Sequence, residues 1–332
     1  MKLDVVIPTY NRADLLKRTL LSLAKAEVPS DFKVLVTVVD NNSTDDTRKS
    51  VEELMPNFKT VELEYVFEPR QGRSYALNAG IERASGDLLS GVDDDVAVAS
   101  DWYVEIEKVF RERWNEIDFV GGKMLPEWET KAAIPDWVEP LKDGVLGWRD
   151  YGDAEWIYTD KTPILTGGHS IFKREVFLEL GMFTEGVGAA GKNLISCEDD
   201  IMYDKLIRAG KRGIYCPQLV IFHFMPAYRL SKSYYRQWCF GVGMSKHLMS
   251  VYYRPTDDAK LFGVPRWMYG GAFKNALKKI GAKFAGREAD ALDYENQILV
   301  LAGFFYAKNL KDSLLDKPLQ AIAKRTVKLA QR

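Results

Sequence analysis

Apolar and polar positions in the first third of the chain alternate between two rhythms. Leu3 to Ile7 is a compact β-rich run that stops at Pro8. Past Asn11, which suits a helix cap, Leu15, Leu16, Leu20 and Leu23 recur at helical spacing. Val34 to Val39 is almost unbroken in β-branched residues, as in a strand buried on both faces. It closes on Asp40, and the turn formers Asn41, Asn42, Ser43 and Thr44 lead into a second helix. Val61 to Phe67 predicts a third strand, Ser74 to Ala84 a helix punctuated by Gly86, and Leu88 to Val92 a fourth strand. Ser100 or Asp101 then caps a further helix. Such alternation predicts an α/β domain, a mostly parallel sheet with helices on both faces.

From about residue 124 to 230 the rhythm breaks. PEWETKAAIPDWVEP and GVLGWRDYGD read as irregular covering segments. Thr166-Gly167-Gly168-His169-Ser170 precedes a helix from near Arg174. Cys197-Glu198-Asp199-Asp200 runs into a helix that Gly210 ends, and Ile214 to Phe222 predicts a strand closing at His223. Beyond 231 the chain turns helical, aromatic and basic. Between Pro265 and Phe284, Trp267, Phe273, Leu277, Ile280 and Phe284 keep helical spacing, with Lys274, Lys278, Lys279 and Lys283 mostly opposite. Packing of this stripe on the catalytic domain or on a second subunit is favoured, because Gly270, Gly271 and Gly281 weaken the helix. The rival is peripheral docking on an anionic membrane face, helped by the basic tail Lys324, Arg325, Lys328 and Arg332.

Composition narrows the function classes. A chain of 332 residues, 46% hydrophobic, carries a large core. A formal net charge of -1 excludes the global basic field of a nucleic-acid binder. Cys197, Cys216 and Cys239 lack CxxC spacing, and their odd number argues for a reducing, cytoplasmic setting. MKLDVVIPTYNR is too short an apolar run for a signal peptide, and no segment approaches the ~20 apolar residues of a membrane span.

Three polar clusters fall at predicted carboxyl ends of strands, where sheets of this class bind ligands: Thr9-Tyr10-Asn11, Asp40-Asn41-Asn42 and Asp93-Asp94-Asp95. Three adjacent carboxylates repel one another and lose hydration at a packed strand end, which asks for a cation. Mg²⁺ or Mn²⁺ fits, taking one or two protein carboxylates and completing its shell with water and substrate phosphates. His223, at another strand end, offers an imidazole to such an ion or a purely structural group. Neither GxxxxGK[ST] nor GxGxxG follows the first strand, so kinase and dinucleotide chemistry lack their phosphate cradle. Glu198, Asp199 and Asp200 open a helix, where the dipole favours ionised acids. Capping is one reading. The other is a base that deprotonates an acceptor hydroxyl, behind a Gly- and Ala-containing loop, TEGVGAAGKNL, able to close over a substrate.

Taken in order, VVIPTYNR, VVDNNSTDDT, the DDDV turn, GGHSIFKREVFLELGMF, CEDDIMYDKLIRAG and a distal VIFH resemble glycosyltransferase family 2 over residues 1 to 245. The resemblance implies a GT-A fold, Rossmann-like with a C-terminal helical extension, and inverting transfer of a sugar from a nucleotide-activated donor. Pro8, Thr9 and Tyr10 match the base-binding turn, and Asp40 matches the aspartate on the nucleobase. Arg73, Asp93 and Asp94 go with the donor nucleotide, and Asp95 matches the metal ligand of the DXD motif, with His223 beside metal or diphosphate. Gly167, Gly168 and Glu198 go with the acceptor, and Asp199 matches the catalytic base. Ile201 replaces an acidic residue usual two places after that motif. Tyr235-Arg236-Gln237-Trp238 is not the QxxRW of processive relatives, which favours single-sugar transfer. Implied partners are a UDP-sugar, a saccharide or lipid-linked acceptor, Mn²⁺ or Mg²⁺, and a second copy of the chain. The implied organisation is a donor half over 1–123, an acceptor half over 124–230 and a helical region over 231–332. Two other readings stay open: a sugar-phosphate nucleotidyltransferase, with Arg12, Arg70 and Arg73 on a triphosphate, and a non-catalytic nucleotide-sugar or polysaccharide-binding module.

Overall fold

A computed structural model describes residues 1–129, 134–138, 146–188, 197–252 and 259–309. The chain divides into two compact units. One comprises Met1–Glu127, Trp148–Gly191 and Glu198–Phe224, the other Trp128–Gly147, Lys192–Cys197 and Met225–Arg332.

The first unit is built on β1 (Lys2–Thr9), β2 (Lys33–Asp40), β3 (Glu62–Phe67), β4 (Leu88–Val92), β5 (Val96–Val98), β6 (Phe119–Trp128), β7 (Trp156–Ile157), β8 (His169–Lys173) and β9 (Gly213–Met225). They form one sheet in the order β3-β2-β1-β4-β8-β6-β9-β5, with β7 on β9. The strands β3-β2-β1-β4 are parallel, with Thr9 paired to Asp40 in register. Helices α1 (Ala13–Lys25), α2 (Thr47–Leu54) and α3 (Arg73–Arg83) make the crossovers that parallel neighbours require. Beyond β4 the ladder turns antiparallel, at β4–β8, β6–β8, β5–β9 and β7–β9. The sheet is therefore mixed, parallel where helices intervene and antiparallel where loops do.

Side-chain alternation on β1 explains the two layers. Leu3, Val5 and Ile7 join Leu16 and Leu20 of α1 and Trp102, Ile106 and Phe110 of α4 (Trp102–Arg113) in one core. Val6 instead packs with Ala76 and Leu77 of α3 and Met202 and Leu206 of α6 (Glu198–Arg208). Between them α5 (Arg174–Leu180) follows β8 directly, as its sequence predicts.

Three local expectations change. Asn11 is not the cap of α1; Arg12 takes that position, and Asn11 adopts φ +52 with its Oδ1 accepting the Thr44 N–H at 2.7 Å. An Asn tolerates this left-handed backbone, and the bond ties the first turn to the second. Strand β6 is not among the expected strands, and only its last residues fall in the segment read as irregular; it carries Gly121 and Gly122 because a Cβ at 121 would overlap Tyr158 and one at 122 the Leu219 carbonyl and the His169 ring. Strand β8, a second missed strand, pairs on both sides with β4 and β6.

In the second unit, α7 (Lys232–Tyr252) crosses α9 (Glu288–Asn309) at Gly243 and Gly303. A Cβ at Gly243 would overlap the Val300 carbonyl, and one at Gly303 the Phe240 carbonyl. Between them lie the hairpin β10 (Lys260–Leu261) with β11 (Val264–Pro265), and α8 (Arg266–Phe284). The stripe predicted on α8 is open to solvent: Phe273 is 69% exposed, Leu277 56%, Ile280 53% and Phe284 90%. No helix among the described residues is long and apolar enough to cross a membrane. The basic tail from Lys324 to Arg332, and residues 189–194 of the TEGVGAAGKNL loop, lie outside the described residues.

Candidate active site

The carboxyl ends of β1, β2 and β4 meet as their sequence implied. The Asn41 N–H donates to the Thr9 carbonyl at 2.8 Å, and Thr9 Oγ1 donates to Asp94 Oδ2 at 2.8 Å. Pro8 is buried in β1 opposite Val39, while Tyr10 stands exposed beyond the strand end. Asp40 is buried, accepting the Ser43 N–H at 2.8 Å and the Tyr65 hydroxyl at 2.7 Å. Its carboxylate thereby shapes the turn that follows β2.

Asp93 to Asp95 form the short turn between β4 and β5, and the turn fans their side chains apart. They do not act as one ligand set. Asp94 and Asp95 share Arg12 Nη1, at 2.9 and 3.1 Å, and Asp95 Oδ1 lies 3.2 Å from His223 Nε2. Asp93 points the other way, to Arg73 Nη2 at 2.8 Å. The other arm of Arg73 reaches Glu198 at 2.9 Å and Asp199 at 3.1 Å. Sequence positions 93 and 198–199 thus converge on one guanidinium at the start of α3.

Gly167 and Gly168 sit at the heart of that second cluster. A Cβ at Gly167 would overlap the Asp199 carboxylate, and one at Gly168 the Asp93 carboxylate. The Gly167 N–H bonds Asp199, and the turn is closed by the His169 N–H on the Thr166 carbonyl at 3.0 Å. Two consecutive residues without side chains therefore let two acids lie against bare backbone. Beside Asp199 is a small recess of about 10 Å³, room for about one water, lined by Leu165, Ser170, Phe172, Phe183, Met202 and Tyr203.

Burial governs the charges here. It pushes the Glu198 carboxyl up to about 7, with Asp199 adding to the rise and Arg73 opposing it. Asp199 is raised for the same reason, with Arg73 opposing and Asp93 adding. Burial would lower Arg73, but Asp199, Asp93 and Glu198 hold it well above its ordinary value. Three carboxylates face one fixed positive charge, so a proton resides most readily on Glu198, which is 1% exposed. In the first cluster burial pushes Asp94 up to about 6 despite Arg12.

Asp95 and His223 are the pair that can hold a metal. Among the described residues no three His, Cys, Asp or Glu side chains gather as a closed cage. Two converging donors at a polar strand end still fit a hard cation that takes its remaining ligands from water and phosphate.

Some contributors carried no assigned role in the sequence. Arg12 is the counter-charge of Asp94 and Asp95. Asn41 accepts the Gly72 N–H at 2.8 Å and donates to the Glu68 and Arg70 carbonyls at 3.2 and 2.6 Å. It thereby fixes the residue before Arg73, and its place in the Asp40-Asn41-Asn42 cluster was the available signal. Ile201 is buried, so the acidic position it replaces is here part of the core.

Known proteins resemble this chain in sequence and in fold. A glucosyl-dolichyl phosphate glucuronosyltransferase of Haloferax volcanii is 28% identical over 264 residues, covering 78% of this chain and 81% of its own. The succinoglycan biosynthesis protein ExoM of Rhizobium meliloti is 33% identical over 190 residues, 54% of this chain and 57% of its own. The fold is shared with the mannosyltransferase PcManGT of Pyrobaculum calidifontis, solved with GDP-Man and Mn²⁺, at TM-score 0.54 and 23% identity over 99% of this chain and 80% of that one. The profile of Glycosyl transferase family 2 matches residues 4–181, and the chain belongs to that family.

Proposed function

We propose that the chain transfers a single sugar, with inversion, from a nucleoside-diphosphate sugar to a hydroxyl of a saccharide or lipid-linked saccharide. The observation that carries this reading is the division of the acids into two sets. One set, Asp94 and Asp95 with Thr9, Arg12 and His223, lies at the strand ends. The other, Asp199 with Glu198 and Asp93, gathers on Arg73 and the Gly167-Gly168 turn. Inversion needs leaving-group stabilisation and a base as separate sites on opposite sides of one carbon.

Asp199 is the base that takes the acceptor proton, aided by burial that raises its proton affinity. Arg73 orients it, and Gly167, Gly168 and Glu198 border the acceptor side. Pro8, Thr9, Tyr10, Asp40 and Asp94 hold the nucleotide, with UDP the favoured carrier. A Mn²⁺ or Mg²⁺ ion held by Asp95 and His223 would neutralise charge on the departing diphosphate. The Haloferax relative, named for a dolichyl phosphate-linked sugar, supports a lipid-linked acceptor. In this reading residues 1–123 serve the donor and 124–230 the acceptor, with 231–332 as a helical extension. The buried cysteines Cys197, Cys216 and Cys239 suit a cytoplasmic setting. Nucleotidyl transfer finds less support, because Arg12, Arg70 and Arg73 are each already ion-paired with carboxylates.

Thermal shift with UDP and with GDP, each with and without Mn²⁺, tests the donor site. Saturation at about 100 times Kd stabilises by ~2.7 kcal/mol, and Asp95→Ala should abolish the Mn²⁺-dependent part. Equal stabilisation of Asp95→Ala by nucleotide and Mn²⁺ would remove Asp95 from the metal. Release of pyrophosphate rather than nucleoside diphosphate would overturn the reaction class.

A further inference from the structure

Phe273, Leu277, Ile280 and Phe284 are each more than half exposed, yet their steps of four, three and four keep them on one line of α8. At ~100° per residue the four span only about 60° of the helix circumference. Four adjoining apolar side chains in water are an interaction surface rather than scattered surface hydrophobics. The opposite side of α8 holds it in place. Met268 and Ala282 are buried there, Asn275 donates to Gln297 at 2.7 Å, and Lys279 pairs with Glu295 at 3.2 Å. The stripe is therefore presented by an anchored helix of 19 residues, about 28 Å long.

Charge decides among occupants. α8 contains no Asp or Glu. By the same angular count Lys274 flanks the stripe on one side and Lys283 on the other, with Lys278 beyond Lys274, and all three are exposed. The acids that follow α8 in the chain are engaged: Glu288 by Lys232, Asp290 by Arg287 and Glu295 by Lys279 and Arg236. A second copy of this face would bring these lysines against their own equivalents, because a two-fold contact pairs a patch with itself. An anionic lipid surface instead accepts the apolar line among its acyl chains and the flanking ammonium groups among its headgroups.

We propose that α8 lies in the plane of an anionic membrane surface, with Phe273, Leu277, Ile280 and Phe284 inserted and Lys274 and Lys283 at headgroup level, while Lys278 stays over the Tyr294 ring of α9. This attachment is independent of the proposed transfer, and it is measured without donor or acceptor.

The test is sedimentation of the full chain with phosphatidylcholine vesicles, and with vesicles of phosphatidylcholine and phosphatidylglycerol. The expected result is roughly tenfold more bound protein on the anionic vesicles at low salt, falling as salt rises. Phe273→Ser with Leu277→Ser and Phe284→Ser should lose that binding while retaining the wild-type melting temperature. Lys274→Gln and Lys283→Gln should each weaken it roughly fivefold, which keeps the test valid if the serine variant misfolds. Absence of vesicle binding, or binding that both sets of variants keep, overturns the proposal. So does a dimer in light scattering that the serine variant dissolves, which would assign the face to a second copy. A chain that fails to bind vesicles yet transfers sugar sinks only this inference, and one that binds but is inert sinks only the transfer reading.

Discussion

Asp199→Asn separates a base from a structural counter-ion. The substitution keeps shape and swaps one carboxylate oxygen for an amide nitrogen. The remaining oxygen can still accept from the Gly167 N–H and from Arg73, which lies 3.1 Å from the native carboxylate. Arg73 keeps Asp93 at 2.8 Å and Glu198 at 2.9 Å. The cluster passes from three carboxylates around one guanidinium to two, which relieves repulsion on Glu198 and lowers its pKa. Stability should therefore stay within about 1 kcal/mol of wild type. Nucleotide binding should not change, because Thr9, Asp40, Asp94 and Asp95 are untouched. Transfer should fall by ~10² to 10⁴, equivalent to about 3–5 kcal/mol of barrier. Nucleoside diphosphate release in the presence of acceptor reads the rate, and thermal shift reads folding and binding. Turnover close to wild type would refute the assignment and move the base to Glu198 or Asp200. Joint loss of stability and nucleotide binding would make Asp199 a partner for Arg73 and nothing more.

Gly167→Ala should fold with a loss of about 1–3 kcal/mol and transfer poorly, since its new methyl overlaps the Asp199 carboxylate; melting and turnover together check this. Glu198 rises from 4.5 to about 7 on folding, so its stabilising contribution is full below pH 4.5 and is lost as pH rises through 7; Glu198→Gln should remove that slope from the melting profile. Asp199 must be ionised to act, so the acidic limb of the pH–rate curve should lie above the ordinary carboxylate range. Helix glycines should divide by sign in chemical denaturation: Gly281→Ala, with open space around its Cβ, gains ~0.5–1 kcal/mol, whereas Gly303→Ala loses about 1–3 kcal/mol.

What could be read in the sequence was what neighbouring residues determine. β1 and β2 are buried on both faces, so nearly every position is apolar and the strand shows in any short window. β6 and β8 are strands because of what lies across from them. Gly121 and Gly122 look like breakers until the Leu219 carbonyl and the His169 ring fill the space their missing side chains leave. The acidic clusters were conspicuous because like charges adjoined along the chain. Their partition was not. Arg73 reaches Asp93 across 20 positions and Glu198 across 125, and no local spacing distinguishes Asp93 from Asp94. The α8 stripe was visible as a period, but burial is a property of surroundings, and the structure alone shows it facing water.

The crossing of α7 and α9 at Gly243 and Gly303 limits how many ways the second unit can assemble. Sliding α9 by one residue puts Ala302 or Phe304 where Gly303 meets the Phe240 carbonyl, and either side chain collides with backbone rather than with a movable rotamer. Larger apolar surfaces elsewhere on these helices would tolerate several offsets, since Leu, Val and Phe repack with modest penalties. The two glycines reject those offsets sterically. Side-chain burial supplies the drive to associate, and the missing Cβ atoms select the single alignment in which the helices come to rest.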